Sequence, residues 1–241
     1  MQDKIVKKLF QEQCDYYSAQ VQSSGYSPLV SLFKKWNKKN KVKTNCKVCE
    51  FGGAAGQLLN AIKKQYPHVS LTNIELVGDY RKKQVSKSIR FIEDSILNSN
   101  IKDRSYDVLI IRDVLHHLIG RDLTETENNQ KKALNNLKRI LKRDGIILIE
   151  EIVNPSNWAC KMIYYLSKLN SRIGLKLLNF EISSNTVIKL LTPNQLHNLV
   201  VNTFSEQQIK YEKHYYFKAN YKERLVHLGF SYQKVCFLIQ S

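Results

Sequence analysis

The chain has 241 residues and a formal charge of +17 at pH 7, from 38 Lys and Arg against 21 Asp and Glu. That length suits one α/β domain with attachments rather than two equal domains, and no run of about 18 apolar residues offers a membrane span. The charge invites a polyanionic partner, such as nucleic acid, an anionic membrane surface or an acidic carrier protein, although AT-rich coding also yields a lysine- and asparagine-rich chain. The five cysteines (Cys14, Cys46, Cys49, Cys160 and Cys236) are odd in number and scattered, which argues against a disulfide framework. The start, MQDKIVKKLFQEQCDYY, lacks an apolar signal core, so a cytoplasmic protein is expected.

In chain order, IVKKLFQEQCDYYSAQV and SPLVSLFKKWNKKNKVK carry helical spacings, and residues 1–45 are expected to form an N-terminal helical lid. Val48 to Phe51 reads as a buried strand; Cys46-x-x-Cys49 runs into it, where residues three apart point to opposite faces, and with no second Cys/His pair nearby a metal or redox pair is the lesser reading. A Gly/Ala turn leads into a helix carrying Leu58, Leu59 and Ile62. VSLTNIELV is a second strand ending near Glu75, residues 79–88 read as helical, and Ile89 to Ile92 form a short third strand ending near Asp94. Asp107 to Arg112 is an apolar fourth strand of the parallel type. A helix through Leu141 is stopped by Asp144-Gly145, and IILIEEIV is the fifth strand.

Residues 154–191 form an insertion, in which Met162, Leu166, Leu169, Ile173 and Leu177 share one helical stripe flanked by lysines. Packing against its own domain is the expected fate of this stripe; capping the site or lying on an anionic membrane are the alternatives. Thr192-Pro193-Asn194-Gln195 starts a helix, and the remainder reads as two β segments around a short helix. The expected fold is a Rossmann-like, doubly wound seven-stranded α/β sheet over residues 46–241, mostly parallel with an antiparallel edge strand, with N-terminal helices and a helical cap insertion.

Acids recur at the strand ends. A tight small-residue loop after a strand lets a ligand approach the backbone, while the following helix N-terminus offers oriented amides. Glu75, at the end of the second strand, is placed to accept from ribose hydroxyls. Asp94, at the end of the third, can accept from an exocyclic adenine amine, with Ile92 or Ile96 against the ring.

In Glu50, Gly52, Gly56, Glu75, Asp94 and the segment YDVLIIRDVLHHL, residues 48–153 resemble a class I S-adenosylmethionine-dependent methyltransferase of the small-molecule branch. The resemblance implies S-adenosyl-L-methionine (SAM) as cofactor and S-adenosyl-L-homocysteine as product. It places Glu50 near the methionine end, Gly52, Gly53, Ala54 and Gly56 along the loop, Glu75 and Leu76 at the ribose, and Asp94, Ser95 and Ile96 at the adenine. Arg112 and Asp113 fall toward the methionine part or the substrate, and Tyr16 or Tyr17 closes over the cofactor. Ala54 stands where the family pattern has its middle glycine, and an alanine resists positive φ.

His116 and His117 follow strand four on the rim where the methyl group belongs, and a histidine suits proton abstraction near neutral pH. His117 is the preferred base. Of Glu150 and Glu151 one should face the pocket, to orient a histidine or bind a substrate amine, and Glu151 is the choice. The chain lacks the Asn/Asp-Pro-Pro-aromatic segment of base and glutamine N-methyltransferases and the Pro-Cys nucleophile of cytosine C5 enzymes. The expected activity is metal-independent methyl transfer to O, N or an activated C of a small molecule. An RNA or polyanion methyltransferase using the basic surface, and a SAM-binding enzyme of non-methylating rearrangement, are the alternatives.

Overall fold

The computed structural model describes Lys7, Gln11 and Cys14, residues 28–40, 45–173, 187–217 and 232–241, and Leu228. Its helices are α1 (Pro28–Asn40), α2 (Gln57–Gln65), α3 (Tyr80–Lys83), α4 (Leu123–Ile140), α5 (Asn157–Ile173) and α6 (Pro193–Phe204). Its strands are β1 (Lys47–Phe51), β2 (Ser70–Glu75), β3 (Arg90–Glu93), β4 (Tyr106–Arg112), β5 (Leu141–Val153), β6 (Ile209–Phe217) and β7 (Tyr232–Gln240). They form one sheet in the order β3-β2-β1-β4-β5-β7-β6.

Strands β1 to β5 pair in parallel, and β7 runs antiparallel to both β5 and β6. The reversed strand therefore lies one place in from the edge, and β6 closes the sheet. Because β2 and β3 extend one way from β1 while β4 and β5 extend the other, strand order reverses between β1 and β4. Open α/β sheets bind ligands at that reversal, beyond the carboxyl ends of the strands.

Strand alternation sorts the core into two layers. Cys49, Phe51, Leu109, Ile111, Ile147 and Ile149 pack with Ala133, Leu134 and Leu137 of α4 and with Leu196 and Val200 of α6. Val48, Val108, Ile110, Ile146 and Leu148 pack with Leu29 and Phe33 of α1 and with Leu58, Leu59 and Ile62 of α2. Cys46 joins the second layer and Cys49 the first, so these two thiols lie on opposite faces of the sheet, as their spacing requires. Burial pushes the Cys46 thiol up to about 12 and the Cys49 thiol well above the usual range.

Several expectations are corrected. The helix read over residues 79–88 is confined to the single turn of α3. Asp144-Gly145 does not end α4, which stops at Ile140; the chain enters β5 at once, through an irregular register opposite Tyr106 and Val108, with Asp144 at φ 64°. Gly145 is required there because a Cβ would stand 2.8 Å from the Asp107 carbonyl oxygen.

The stripe expected to pack inward on α5 faces outward, with Leu166 46% and Leu169 53% exposed. The inward face is instead Ala159, Cys160, Ile163, Tyr164 and Ser167. Small residues at 159 and 160 allow close approach, Cys160 and Ile163 cluster with Ile152, Ile188 and Leu190, and Ser167 Oγ accepts from Ile188 N at 3.2 Å. Leu177, the Ile173 side chain and the short helix expected between β6 and β7 lie outside the described residues, as do Tyr16 and Tyr17. No described helix is long and apolar enough to cross a membrane.

Candidate active site

The site grows from the end of β1. Glu50 is buried (1% exposed) because β1 is covered on both faces, and among the described residues its Oε2 has no hydrogen-bond partner. Burial first, then the like charges of Glu75 and Glu150, push its carboxyl up to about 7, against the pull of Arg112. The chain then turns over Gly52 and Gly56, at φ 70° and 78°. Gly53 passes so close to β2 that a Cβ would lie 2.5 Å from Asn73 Oδ1 and 2.8 Å from Glu50 Oε2. Ala54 does adopt the conformation that alanine resists, at φ 46°.

Two buried β2 side chains hold it there. Ala54 N donates to Glu75 Oε2 at 3.0 Å, and its carbonyl accepts from Asn73 Nδ2 at 2.8 Å. Val77 N donates to Glu75 Oε1 at 3.3 Å, and the Leu76 amide also favours the carboxylate. Burial raises the Glu75 pKa, with those backbone donors opposing it. Glu75 thus ties the glycine loop to the β2 end. Asn73 was missed by the sequence reading; its signal was an amide inside an otherwise buried apolar strand.

Asp94 is committed to its own loop, accepting from Ser95 N at 2.8 Å, Ser99 Oγ at 3.1 Å and Asn100 N at 3.0 Å. Ile96, beside it, is buried. From the N-terminal segment, Cys14 packs with Val77 and Tyr80 next to Ala54, and Lys7 pairs with Glu93. Cys14 therefore sits beside the glycine loop.

Across the β1–β4 crevice stands a charged rim. Asp113 (φ 54°) takes Lys234 Nζ on Oδ2 at 2.5 Å, while its buried Oδ1 has no hydrogen-bond partner among the described residues. Burial alone would raise its pKa, but Lys234, His116 and Arg112 hold it below the usual carboxylate range. Lys234 Nζ also donates to Glu150 Oε1 at 3.1 Å, so one ammonium joins the ends of β4 and β5. Nothing in the local sequence marks Lys234. It arrives through the antiparallel register that sets it opposite Ile152.

Glu150 and Glu151 divide as strand alternation requires. Glu150 turns to Lys234 and Cys236, and Glu151 turns to the histidine turn. Glu151 is 1% exposed and accepts from Leu115 N at 2.7 Å and Ile152 N at 3.0 Å, and it meets His116 Nδ1 at 2.6 Å. An ionised carboxylate has only lone pairs to offer, so His116 Nδ1 carries a proton toward Glu151. His117, the residue preferred in the sequence, is not the partner of Glu151. Its ring lies tilted against that of His116 at 3.9 Å between centroids, and burial, then His116, drives its pKa well below 6.5. His116 is held from a third side, where its carbonyl accepts from Lys189 N at 2.9 Å.

Glu50, the glycine loop and Glu75 thus gather at one end of the crevice, with Arg112, Asp113, the histidines and Glu151 at the other. Residues 49–149 match a methyltransferase domain. The match runs from β1 to β5 and takes in the glycine loop, Glu75, Asp94, Asp113 and both histidines, ending one residue short of Glu150.

The fold recurs in a SAM-dependent methyltransferase from Methanosarcina mazei (TM-score 0.58, 13% identity, 84% of this chain and 95% of that one covered). It recurs in a putative sarcosine dimethylglycine methyltransferase from Galdieria sulphuraria (TM-score 0.57, 12% identity, 95% and 98% covered). The [4+2]-cyclase SpnF shares it too (TM-score 0.58, 11% identity, 88% and 80% covered). No curated protein sequence matches the chain significantly. The match shows a methyltransferase domain over residues 49–149, and the solved structures show that the whole fold recurs among SAM-dependent methyltransferases.

Proposed function

We propose that the protein transfers a methyl group from SAM to an O, N or activated C atom of a small molecule in the cytoplasm, with His116, oriented by Glu151, taking the acceptor's proton. The observation that carries this reading is the buried Glu151–His116 pair on the same crevice as the glycine loop.

The residues present fit the cofactor. Glu50 Oε2 and Asp113 Oδ1 are buried acceptors suited to an ammonium. Glu75 and Asp94 would serve the ribose and adenine, and residues 1–45 would form the lid, supported by the seat of Cys14 beside Ala54. When bound, SAM supplies an electrophilic methyl group and departs as neutral S-adenosyl-L-homocysteine. The chain's own work is to align the acceptor, exclude water and accept a proton at His116 Nε2, while Glu151 steadies the resulting imidazolium. Among the described residues no group of three or more His, Cys, Asp or Glu is arranged to hold a metal ion.

The test is label transfer from methyl-labelled SAM into a metabolite extract. His116→Ala should lower turnover by roughly 10²- to 10⁴-fold with SAM affinity nearly unchanged. Glu151→Gln should lower it less and displace the acidic limb of the pH–rate profile. Unchanged turnover in His116→Ala removes it as the base. The cyclase among the neighbours supports a second reading, in which the bound sulfonium assists a rearrangement without methylation. Product mass separates the two, since only methyl transfer adds a CH2 unit.

A further inference from the structure

Helix α5 is amphipathic in an unusual sense, because both of its long faces are apolar. Ala159, Cys160, Ile163, Tyr164 and Ser167 are buried, so this side already holds the helix to the domain. On the opposite side Trp158, Tyr165, Leu166 and Leu169 are 62%, 54%, 46% and 53% exposed. Trp158, Met162, Tyr165 and Leu169 recur at i, i+4, i+7 and i+11, which makes a continuous ridge rather than scattered side chains. Isolated exposed apolar residues are ordinary in soluble proteins, but a contiguous ridge of this kind marks a docking surface.

From this ridge we infer that α5 docks on an anionic lipid bilayer. Three observations favour that occupant over a second protein. The helix carries Lys161, Lys168 and Arg172 and no acid, within a chain of net charge +17. Lys161 and Lys168 fall on one edge of the ridge, Lys161 exposed and Lys168 bonded to the carbonyl of the largely exposed Arg121 at 2.7 Å. Trp and Tyr stand among the aliphatic residues, the composition that seats a helix at the level of lipid headgroups, with lysines reaching outward to phosphate.

The surface is also wired to the candidate site. Ser167 on the inner face of α5 binds Ile188 N, and the next residue, Lys189, donates its amide to the His116 carbonyl. A bilayer under α5 therefore lies one short segment away from the histidine turn. Resting on the methyltransferase reading, this makes the acceptor a lipophilic molecule drawn from the membrane.

The full-length chain would be mixed with vesicles of phosphatidylcholine alone or of phosphatidylcholine with phosphatidylglycerol. Binding is read by co-sedimentation and, in a Trp36→Phe background, by the emission of Trp158, the other of the two tryptophans. The expected result is a blue shift and sedimentation with the anionic vesicles only. Tyr165→Ser/Leu166→Ser/Leu169→Ser and Lys161→Glu should each weaken partition by at least about tenfold. These positions are exposed, so folding should survive, and SAM titration of the same preparations checks it. Failure of wild type to bind anionic vesicles, or binding indifferent to these changes, overturns the inference. So does concentration-dependent self-association that the triple variant abolishes, which would make the ridge an interface between copies. Loss of SAM binding in wild type would instead defeat the methyltransferase reading and leave the bilayer result standing.

Discussion

The two ends of the crevice are built by different means. At the β1–β2 end the backbone is the working part, because Gly52, Gly53, Ala54 and Gly56 are bent over the strand ends and fastened by Glu75 and Asn73 through amides and a carbonyl. At the β4–β5 end side chains meet side chains: Lys234 between Asp113 and Glu150, and His116 on Glu151. The first end is a cradle shaped by the backbone. The second is a set of paired charges, so substitutions should cost geometry at one end and electrostatics at the other.

The largest effect should come from Lys234→Met. It leaves the buried Glu150 and the half-buried Asp113 without their shared cation, a loss of roughly 1–2 kcal/mol of stability once the solvent screening of Asp113 is allowed for. Asp113 also gives the pH dependence. Its folded pKa is depressed, so its contribution is present above the unfolded value and is lost as pH falls through the folded one. Denaturant melts of wild type and variant should therefore converge at acid pH and separate toward neutrality. A constant gap would break the assignment of the rim as an ion network.

Gly53→Ala comes next. Its Cβ would collide with Asn73 and Glu50, so cofactor affinity should fall by roughly ten- to a hundredfold with stability changed less than in Lys234→Met. Ala54→Gly should have the smallest effect. Relief of strain at φ 46° and the added freedom of the unfolded chain are each about 1 kcal/mol and opposed in sign, so thermal stability should hardly move. A large change in either direction would show that the Ala54 methyl has a packing role beside Cys14, Val77 and Tyr80.

This division also explains what could be read from the sequence. The cradle is local: a buried strand, an acid, small residues and a second acid one βα unit later are spaced along the chain as they are in space. Strand alternation likewise separated Glu150 from Glu151 and Cys46 from Cys49. The rim depends on long-range register, and no local pattern places Lys234 opposite Ile152 or assigns Glu151 to His116 instead of His117. The inward face of α5 was misread for a related reason. Large apolar residues at helical spacing suggested the packed side, whereas the close approach belongs to Ala159 and Cys160, and periodicity cannot distinguish an inner stripe from an outer one.

The central claim, that the β1–β2 end is a cradle for a cationic cofactor with Glu50 as its buried counter-charge, is tested most directly by calorimetric titration of SAM from pH 6 to pH 8. The Glu50 carboxyl stands near 7 in the fold against 4.5 when unshifted, so its contribution to stability declines as pH rises between those values, while its attraction for a cation grows. Affinity should therefore increase roughly tenfold from pH 6 to pH 8, with a proton released on binding below neutrality, and Glu50→Gln should bind more weakly with a flat profile. Absence of SAM binding, or a profile identical in wild type and Glu50→Gln, would contradict the account.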